Sequence, residues 1–418
     1  MKMERGAPAI RGTSPTSLPP GWRLVQLKDV CTINPTRPAQ LWRHDDSPTT
    51  FVSMSAVDEQ TGSVARPETR PYAEVRRGYT YFAEGDVLFA KITPCMQNGK
   101  HAIATNLLGG IGFGSTEFHV IRPSPEIESG WIYMFLRQPS VLKAATAHFT
   151  GSVGQQRVPA GFLAALTLPL PPISEQNRLV RLLAEQMAAV EQARTAINTQ
   201  LQTALELSAS YLLEVFEGAE ARIWPRKHVA ELCERRIGTV DPRRSADQDF
   251  VYIDISAVDN VAKRIVSPTR MRGAVAPSRA RQVVHTGDVI VATTRPNLNA
   301  VALVPPDLDG QVCSTGFCVL RAKIGLVPEY LFAFVRTNEF VDALSELVRG
   351  ALYPAVTDAQ VRAIRMPLAP EVDQRRISAL LASQLAAVER ARAAAFAQLR
   401  EIDELPASLL RQAFVGEM

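Results

Sequence analysis

The chain has 418 residues, enough for two or three ordinary domains. It is 46% hydrophobic and 21% charged with 29 prolines and 24 glycines, which excludes a collagen-like, low-complexity or wholly disordered chain. No apolar run is long enough to span a membrane, and a net charge of +4 is compatible with nucleic acid without establishing it.

Residues 1–18 lack the apolar centre of a signal peptide and are expected to be a flexible tail. Beyond them the chain repeats itself. Trp22, Leu27, Asp29, Val30 and Cys31 recur as Trp224, Val229, Glu231, Leu232 and Cys233. Ser55-Ala-Val-Asp58 recurs as Ser256-Ala-Val-Asp259, and Gly85-Asp-Val-Leu88 as Gly287-Asp-Val-Ile290. The match is densest at the end of each half, where 18 of 33 aligned positions between 169–201 and 367–399 are identical. An offset near 200 that drifts only from 202 to 198, as small loop insertions would make it, is the mark of a duplicated unit.

Short β-branched or aromatic runs at 86–90, 118–121, 288–292 and 317–320 predict strands, and 131–136 and 329–335 predict short helices. Gly110-Ile-Gly-Phe-Gly114 is not a dinucleotide-binding fingerprint; a turn before the strand at 117–121 is expected there. Residues 173–217 contain neither Gly nor Pro and are rich in helix formers, and the same holds for 371–405. Pro172 and Pro370 mark the starts of these two helical arms, and Gly218 and Gly416 their ends. An apolar seam alternates by four and three: Leu179, Leu183, Met187, Val190, Ile197 and Leu201 in one arm. In the other it runs Ile377, Leu381, Leu385, Val388, Ala395, Leu399 and Ile402, and it passes over Arg194 and Arg392. Such a helix is about 65 Å long. With one apolar stripe it needs a partner, most simply the other arm. Pro406 predicts a break, leaving 407–414 as a separate short helix.

The expected fold class is therefore α+β. Two α/β domains in pseudo-twofold repeat are separated by two long antiparallel coiled-coil helices. The expected segments are the tail (1–18), a first α/β domain (19–170), the first arm (171–218), a second α/β domain (219–368) and the second arm (369–418).

Catalytic signatures are missing. There is no phosphate-binding GxxxxGK[ST] loop and no methyltransferase motif; the six scattered histidines and five cysteines have no metal-ligand spacing. The cysteines are expected to be buried thiols in a reducing, cytoplasmic setting. No catalytic residue, metal site or cofactor is expected for this chain.

Positive charge concentrates between 261 and 295, with seven Lys or Arg against Asp288 alone. Arginine suits both phosphates and guanine edges, and Asn and Gln suit adenine. The candidate DNA-binding residues in the first half are Arg70, Arg76, Arg77, Lys91, Thr93, Gln97, Asn98, Lys100, Gln155, Gln156 and Arg157. In the second they are Arg270, Arg272, Arg279, Arg281, Thr293, Thr294, Arg295, Asn297, Asn299 and Tyr353. Two diverged readers on one repeated frame would read two different short sequences.

Leu168-Pro-Leu-Pro-Pro-Ile-Ser-Glu175-Gln176, leading into a long helix, recurs as Met366-Pro-Leu-Ala-Pro-Glu-Val-Asp373-Gln374. Leu212-Leu213-x-x-Phe216-x-Gly218 recurs as Leu409-Leu410-x-x-x-Phe414-x-Gly416. With the segment 86–100, these motifs resemble the specificity subunit (HsdS) of type I restriction–modification systems over about residues 19–418. Ala369, Asp373 and Pro406 depart from the pattern. The resemblance implies a non-catalytic chain whose two domains each read half of a split, asymmetric double-stranded DNA site. It implies arms that set the gap, near one DNA turn of ~34 Å, and that dock two adenine-N6 methyltransferase subunits (HsdM). It also implies a restriction and translocase subunit (HsdR), with S-adenosylmethionine, ATP and Mg2+ belonging to the partners. The competing expectation is a coiled-coil scaffold of another defence complex with no DNA readout of its own.

Overall fold

The structure is a computed structural model, and it describes residues 18–59, 61–152, 155–350, 352 and 354–418. The expected tail lies outside them except for its last residue, and so does Tyr353. Two compact units form: one takes the chain up to Thr195 together with Leu399–Met418, the other Ala196–Gln398.

Each unit is built on a central strand, Val87–Ala90 or Val289–Ala292, at the positions where strands were expected. Every residue of both strands is buried, because each strand serves two cores. Val87 and Phe89 join a cluster around Trp131, Phe135, Leu179 and Leu183, whereas Leu88 and Ala90 face Val52, Phe82 and Phe118. Likewise Val289 and Val291 face Tyr330, Phe334 and Leu381, while Ile290 and Ala292 face Ile253 and Phe317. A strand sandwiched this way loses its polar alternate positions, hence the unbroken apolar run.

In the first unit this strand lies in an antiparallel sheet ordered Cys31–Ile33, Phe118–Pro123, Val87–Ala90, His101–Ile103. A second sheet runs Glu68–Pro71, Pro48–Val52, Ile111–Gly114, Thr80–Ala83, its two inner strands parallel. The second unit repeats the mixed sheet as Thr269–Arg272, Asp249–Ile253, Val312–Ser314, Ala280–Val283, again with a parallel inner pair. Its other sheet keeps three strands, Val301–Leu303, Val289–Ala292 and Phe317–Leu320. The fourth position is reduced to one bridge, Cys233 to Ala322.

The repeated Gly-Asp pair enters the central strand through a left-handed glycine, Gly85 (φ +82°) or Gly287 (φ +84°). The aspartate that follows is buried. Asp86 accepts two bonds from Arg122 at 2.7 and 2.8 Å, and Asp288 two from Arg321 at 2.8 and 2.9 Å. The two-pronged guanidinium satisfies both carboxylate oxygens, which is what makes a buried carboxylate tolerable.

The arms are single helices, Ile173–Glu217 and Glu371–Val415. At each start a fully buried glutamine fills the corner. Gln176 accepts from the Glu128 amide and donates to the Pro171 and Glu126 carbonyls. Gln374 accepts from the Val327 amide and donates to the Ala369 and Gly325 carbonyls. Trp131 and Tyr330 then donate to the carbonyls of Pro169 and Pro367. The proline-rich, glutamine-ended motif is thus a corner that locks the arm, the loop before it and the short helix Ser129–Leu136 or Pro328–Phe334 together.

In the first unit the arms run antiparallel: Arg178 bonds the Met418 carbonyl and Arg194 pairs with Asp403 at 2.6 Å. Phe414 closes this core against Trp131 and Phe135, with ring centroids 4.1 and 5.5 Å away. Phe216 takes the matching place in the second unit against Tyr330 and Phe334. Of the seam, Leu179, Leu183, Val190, Ile197, Ile377, Leu381, Leu385, Val388 and Ala395 are buried; Met187, Leu201, Leu399 and Ile402 are half-buried. Arg392 is buried too, paired with Glu389 at 2.5 Å.

Four local expectations are corrected. The second arm does not break at Pro406: one helix runs through it to Val415. An interior proline costs about 3 kcal/mol, and burial of Leu410, Ala413 and Phe414 in the next turn offsets it. Gly218 is not a left-handed helix terminator, since φ is −64° and a short helix, Ala219–Ile223, follows. Glycine is needed because a Cβ there would lie 2.2 Å from the Glu214 carbonyl oxygen. The glycine-rich 110–114 segment is not a turn; Ile111–Gly114 is an inner strand, and a Cβ on Gly112 would meet the Phe82 ring at 2.3 Å. Cys95 is half-buried, unlike the other four cysteines; all five are free.

His101 lies flat on Phe89, centroids 4.2 Å apart, wholly buried, with neither ring nitrogen hydrogen-bonded among the described residues. Burial, reinforced by Arg137, pushes its imidazole down to about 3. The unfolded chain binds this proton near pH 6.5 and the folded one does not. Stability is therefore full above 6.5 and falls as pH drops below it, by about 1.4 kcal/mol per pH unit. Urea unfolding between pH 7.5 and 4.5 should show this fall in the wild type and a shallower one in His101→Leu; parallel curves would sink the assignment.

Candidate nucleic-acid interface

The strand Val87–Ala90 runs straight into the polar loop 91–100, and the structure knits that loop to 156–158. The Thr93 amide bonds the Gln156 carbonyl at 3.0 Å, the Val158 amide bonds the Lys91 carbonyl at 2.9 Å, and Ile92 pairs with Arg157. Met96 is buried and anchors the loop, and Gln97 and Asn98 stand exposed, as does Gln155. Thr93 is bonded to Gln97 at 2.6 Å. Gln156 and Arg157 are half-buried. Arg157 is bonded through both guanidinium arms to Glu117 at 2.9 and 2.8 Å, and holds that carboxyl below its usual range.

The second unit does the same with different residues. From Val289–Ala292 the chain enters 293–299, which is knitted to 354–356. The Arg295 amide bonds the Pro354 carbonyl and the Val356 amide the Thr293 carbonyl, both at 2.8 Å; Thr294 pairs with Ala355. Thr293 is buried, its hydroxyl on the Gly316 carbonyl, and Pro296 is the buried anchor. Thr294, Arg295 and Asn297 are exposed around it, and Asn299 is half-buried. Arg295 and Asn299 both sit in the left-handed region, at φ +50° and +45°. This is strained backbone for non-glycine residues, the kind that persists where the surroundings hold it.

The remaining basic residues divide into engaged and exposed. Arg70 lies 3.8 Å over the Phe51 ring and pairs with Glu68, Arg76 pairs with Asp45, and Arg270 pairs with Asp249 at 3.4 Å. Arg281 and Arg243 share the carboxylate of Asp241, which they hold far below its ordinary range. Arg77, Arg272 and Arg279 are exposed. Lys91 is half-buried, and Lys100 points inward to the Met54 and Val57 carbonyls. The partners that fix Arg157 and Arg281, forty residues away in each case, carry no local signal in the sequence. The glutamine corners and the aspartates of the Asp–Arg pairs, by contrast, were visible as repeated motifs whose roles only the contacts supply; their partners Arg122 and Arg321 were not.

Among the described residues no cluster of His, Cys, Asp and Glu could hold a metal ion, and no helix is long and apolar enough to cross a membrane.

The family model described as the type I restriction modification DNA specificity domain matches residues 19–207, covering the first knitted loop pair and most of the first arm. Residues 19–207 thus match a type I restriction specificity domain. Proteins similar to the chain include the type I restriction enzyme EcoEI specificity subunit of Escherichia coli, 34% identical over 224 residues. That stretch is 53% of this chain and 37% of the relative. The EcoAI specificity subunit of the same organism is 33% identical over 214 residues, 51% of this chain and 36% of the relative. The chain thus spans little more than a third of the length of these curated relatives. The fold is shared with a chain from a structure of type I restriction–modification complex assembly, at a TM-score of 0.76 and 23% identity. That match covers 97% of this chain and 100% of the other. It is shared also with the HsdS subunit from Thermoanaerobacter tengcongensis, at 0.62 and 23%, covering 97% and 99%.

Proposed function

We propose that this chain is the non-catalytic DNA-specificity subunit of a type I restriction–modification complex, each unit reading one half of an asymmetric bipartite site. The observation that carries the proposal is the duplicated pair of knitted polar loops. One frame displays Gln97, Asn98 and Gln155 in one unit and Thr294, Arg295 and Asn297 in the other. Amide side chains suit adenine and arginine suits guanine, so the two surfaces favour different half-sites. Exposed Arg77 in the first unit and exposed Arg272 and Arg279 in the second are the phosphate contacts in this reading, while Arg70, Arg76, Arg157, Arg270 and Arg281 are held by their carboxylate partners.

In this reading the arms set the gap between half-sites and dock two methyltransferase subunits, and an ATP-driven restriction subunit completes the endonuclease. S-adenosylmethionine, ATP and Mg2+ serve those partners, and the complex acts on cytoplasmic DNA. The test is modification-sensitive sequencing of DNA from cells that carry the chain with its neighbouring methyltransferase, against cells lacking the chain. Loss of N6-methyladenine at one split motif is the expected result. Unchanged methylation at every motif, in cells where the methyltransferase is active, would favour the scaffold instead.

A further inference from the structure

We propose that Lys263 and Lys100 are positioning residues for sequence readout, each tying a polar reading loop to the neighbouring Ser-Ala-Val-Asp turn without itself contacting DNA. This rests on the reading of those loops given above.

In the second unit the strands Val258–Asp259 and Arg264–Ile265 form a small hairpin. From its tip Lys263 donates to the Asn299 carbonyl at 2.6 Å, and Asn260 donates to the Leu298 carbonyl at 3.3 Å. These bonds grip the exit of the 293–299 loop, while the Arg295 amide on the Pro354 carbonyl grips its entry. Between the two grips lie the left-handed residues Arg295 and Asn299 and the exposed Asn297. Released at one end, such a loop has every reason to relax, because its backbone is strained. The ammonium is half-buried, and it is spent on a carbonyl rather than turned to solvent.

The first unit makes the same link from the opposite side. Here the lysine sits on the reading loop: Lys100 reaches back to the Met54 and Val57 carbonyls at 3.5 and 3.3 Å. The donor has changed sides between the halves, but a lysine bridge from loop to turn is present in both. A duplicated frame that keeps the link while moving the residue points to the link as the working part.

A lysine on a phosphate and a lysine bracing a loop differ in what salt does. Each phosphate contact contributes about 0.9 to the slope of log K against log salt, and its loss weakens all sequences alike. A brace contributes nothing to the slope and acts on one half-site. The experiment selects binders from a random duplex DNA pool with the full chain in complex with its methyltransferase subunits, and measures the salt slope for each variant. Wild type should return a two-part motif. Lys263→Met should flatten base preference in one half by about tenfold per mismatch, leave the other half intact and leave the slope unchanged. Lys100→Met should do the same to the other half. Asn260→Ala should reproduce a milder form of the Lys263→Met result, and Lys263→Arg, which keeps a donor, should recover part of the preference. An intact motif in Lys263→Met would overturn the proposal. So would a uniform loss of affinity with the slope reduced by about one, or equal damage to both halves. A wild-type complex that selects no motif would overturn the DNA reading, and this inference with it.

Discussion

Phe414→Ala is expected to cost about 3–5 kcal/mol of unfolding free energy, the range for deleting a buried phenylalanine ring. The ring is almost fully buried, and it lies against Trp131 and Phe135 where the arm end closes the core of the first unit. Its aromatic neighbours are rigid, so the cavity left behind should collapse little. Phe216→Ala should cost a similar amount through Tyr330 and Phe334, but in the second unit. Denaturant unfolding followed by limited proteolysis separates the two: each variant should expose cleavage sites in its own unit first. If both variants unfolded with the wild-type midpoint, the two rings would not be closing the cores.

Gln374→Met should be comparably damaging although it barely changes volume. The amide makes three bonds, to the Val327 amide and to the Gly325 and Ala369 carbonyls, and a thioether replaces none of them well. Each buried group left unsatisfied costs about 1–3 kcal/mol, so a loss of about 3–9 kcal/mol is expected for the three. Gln374→Glu keeps the acceptor and loses both donations, and it sets a carboxylate against two carbonyl oxygens. It should be worse than the methionine variant at pH 8 and partly recover toward pH 4, as the carboxyl gains a proton it can donate. Thermal unfolding at the two pH values checks the ordering; equal melting of Gln374→Met and wild type would remove the corner from the list of structural determinants.

What the sequence disclosed follows from which forces are local. Helix propensity and the absence of Gly and Pro are properties of a window, so the first arm was legible to its last residue at Glu217. Pro406 misled because the penalty is local while the burial of Phe414 that offsets it lies in a core formed by residues about 280 positions earlier. The 110–114 segment misled in the same way: its glycines make room for the Phe82 ring of a neighbouring strand, and nothing in the segment says so. The polar loops were legible as loops, because each follows a repeated strand. Which of their side chains face outward was not. Lys100 and Arg157 read as candidate DNA contacts from polarity and loop position alone, whereas the first bonds the Met54 and Val57 carbonyls and the second Glu117.

The pairing of Arg194 with Asp403 joins residues 209 positions apart in the chain, both within the first unit. That unit therefore cannot be completed while it is being made. At about 5–20 residues per second, the first arm emerges with its apolar stripe uncovered for roughly 10–40 s before its counterpart arrives. During that interval the nascent chain presents a half-built core to whatever is nearby. Synthesis rate, chaperone supply and the presence of partner chains during translation should thus govern the yield of this protein more than its final stability does.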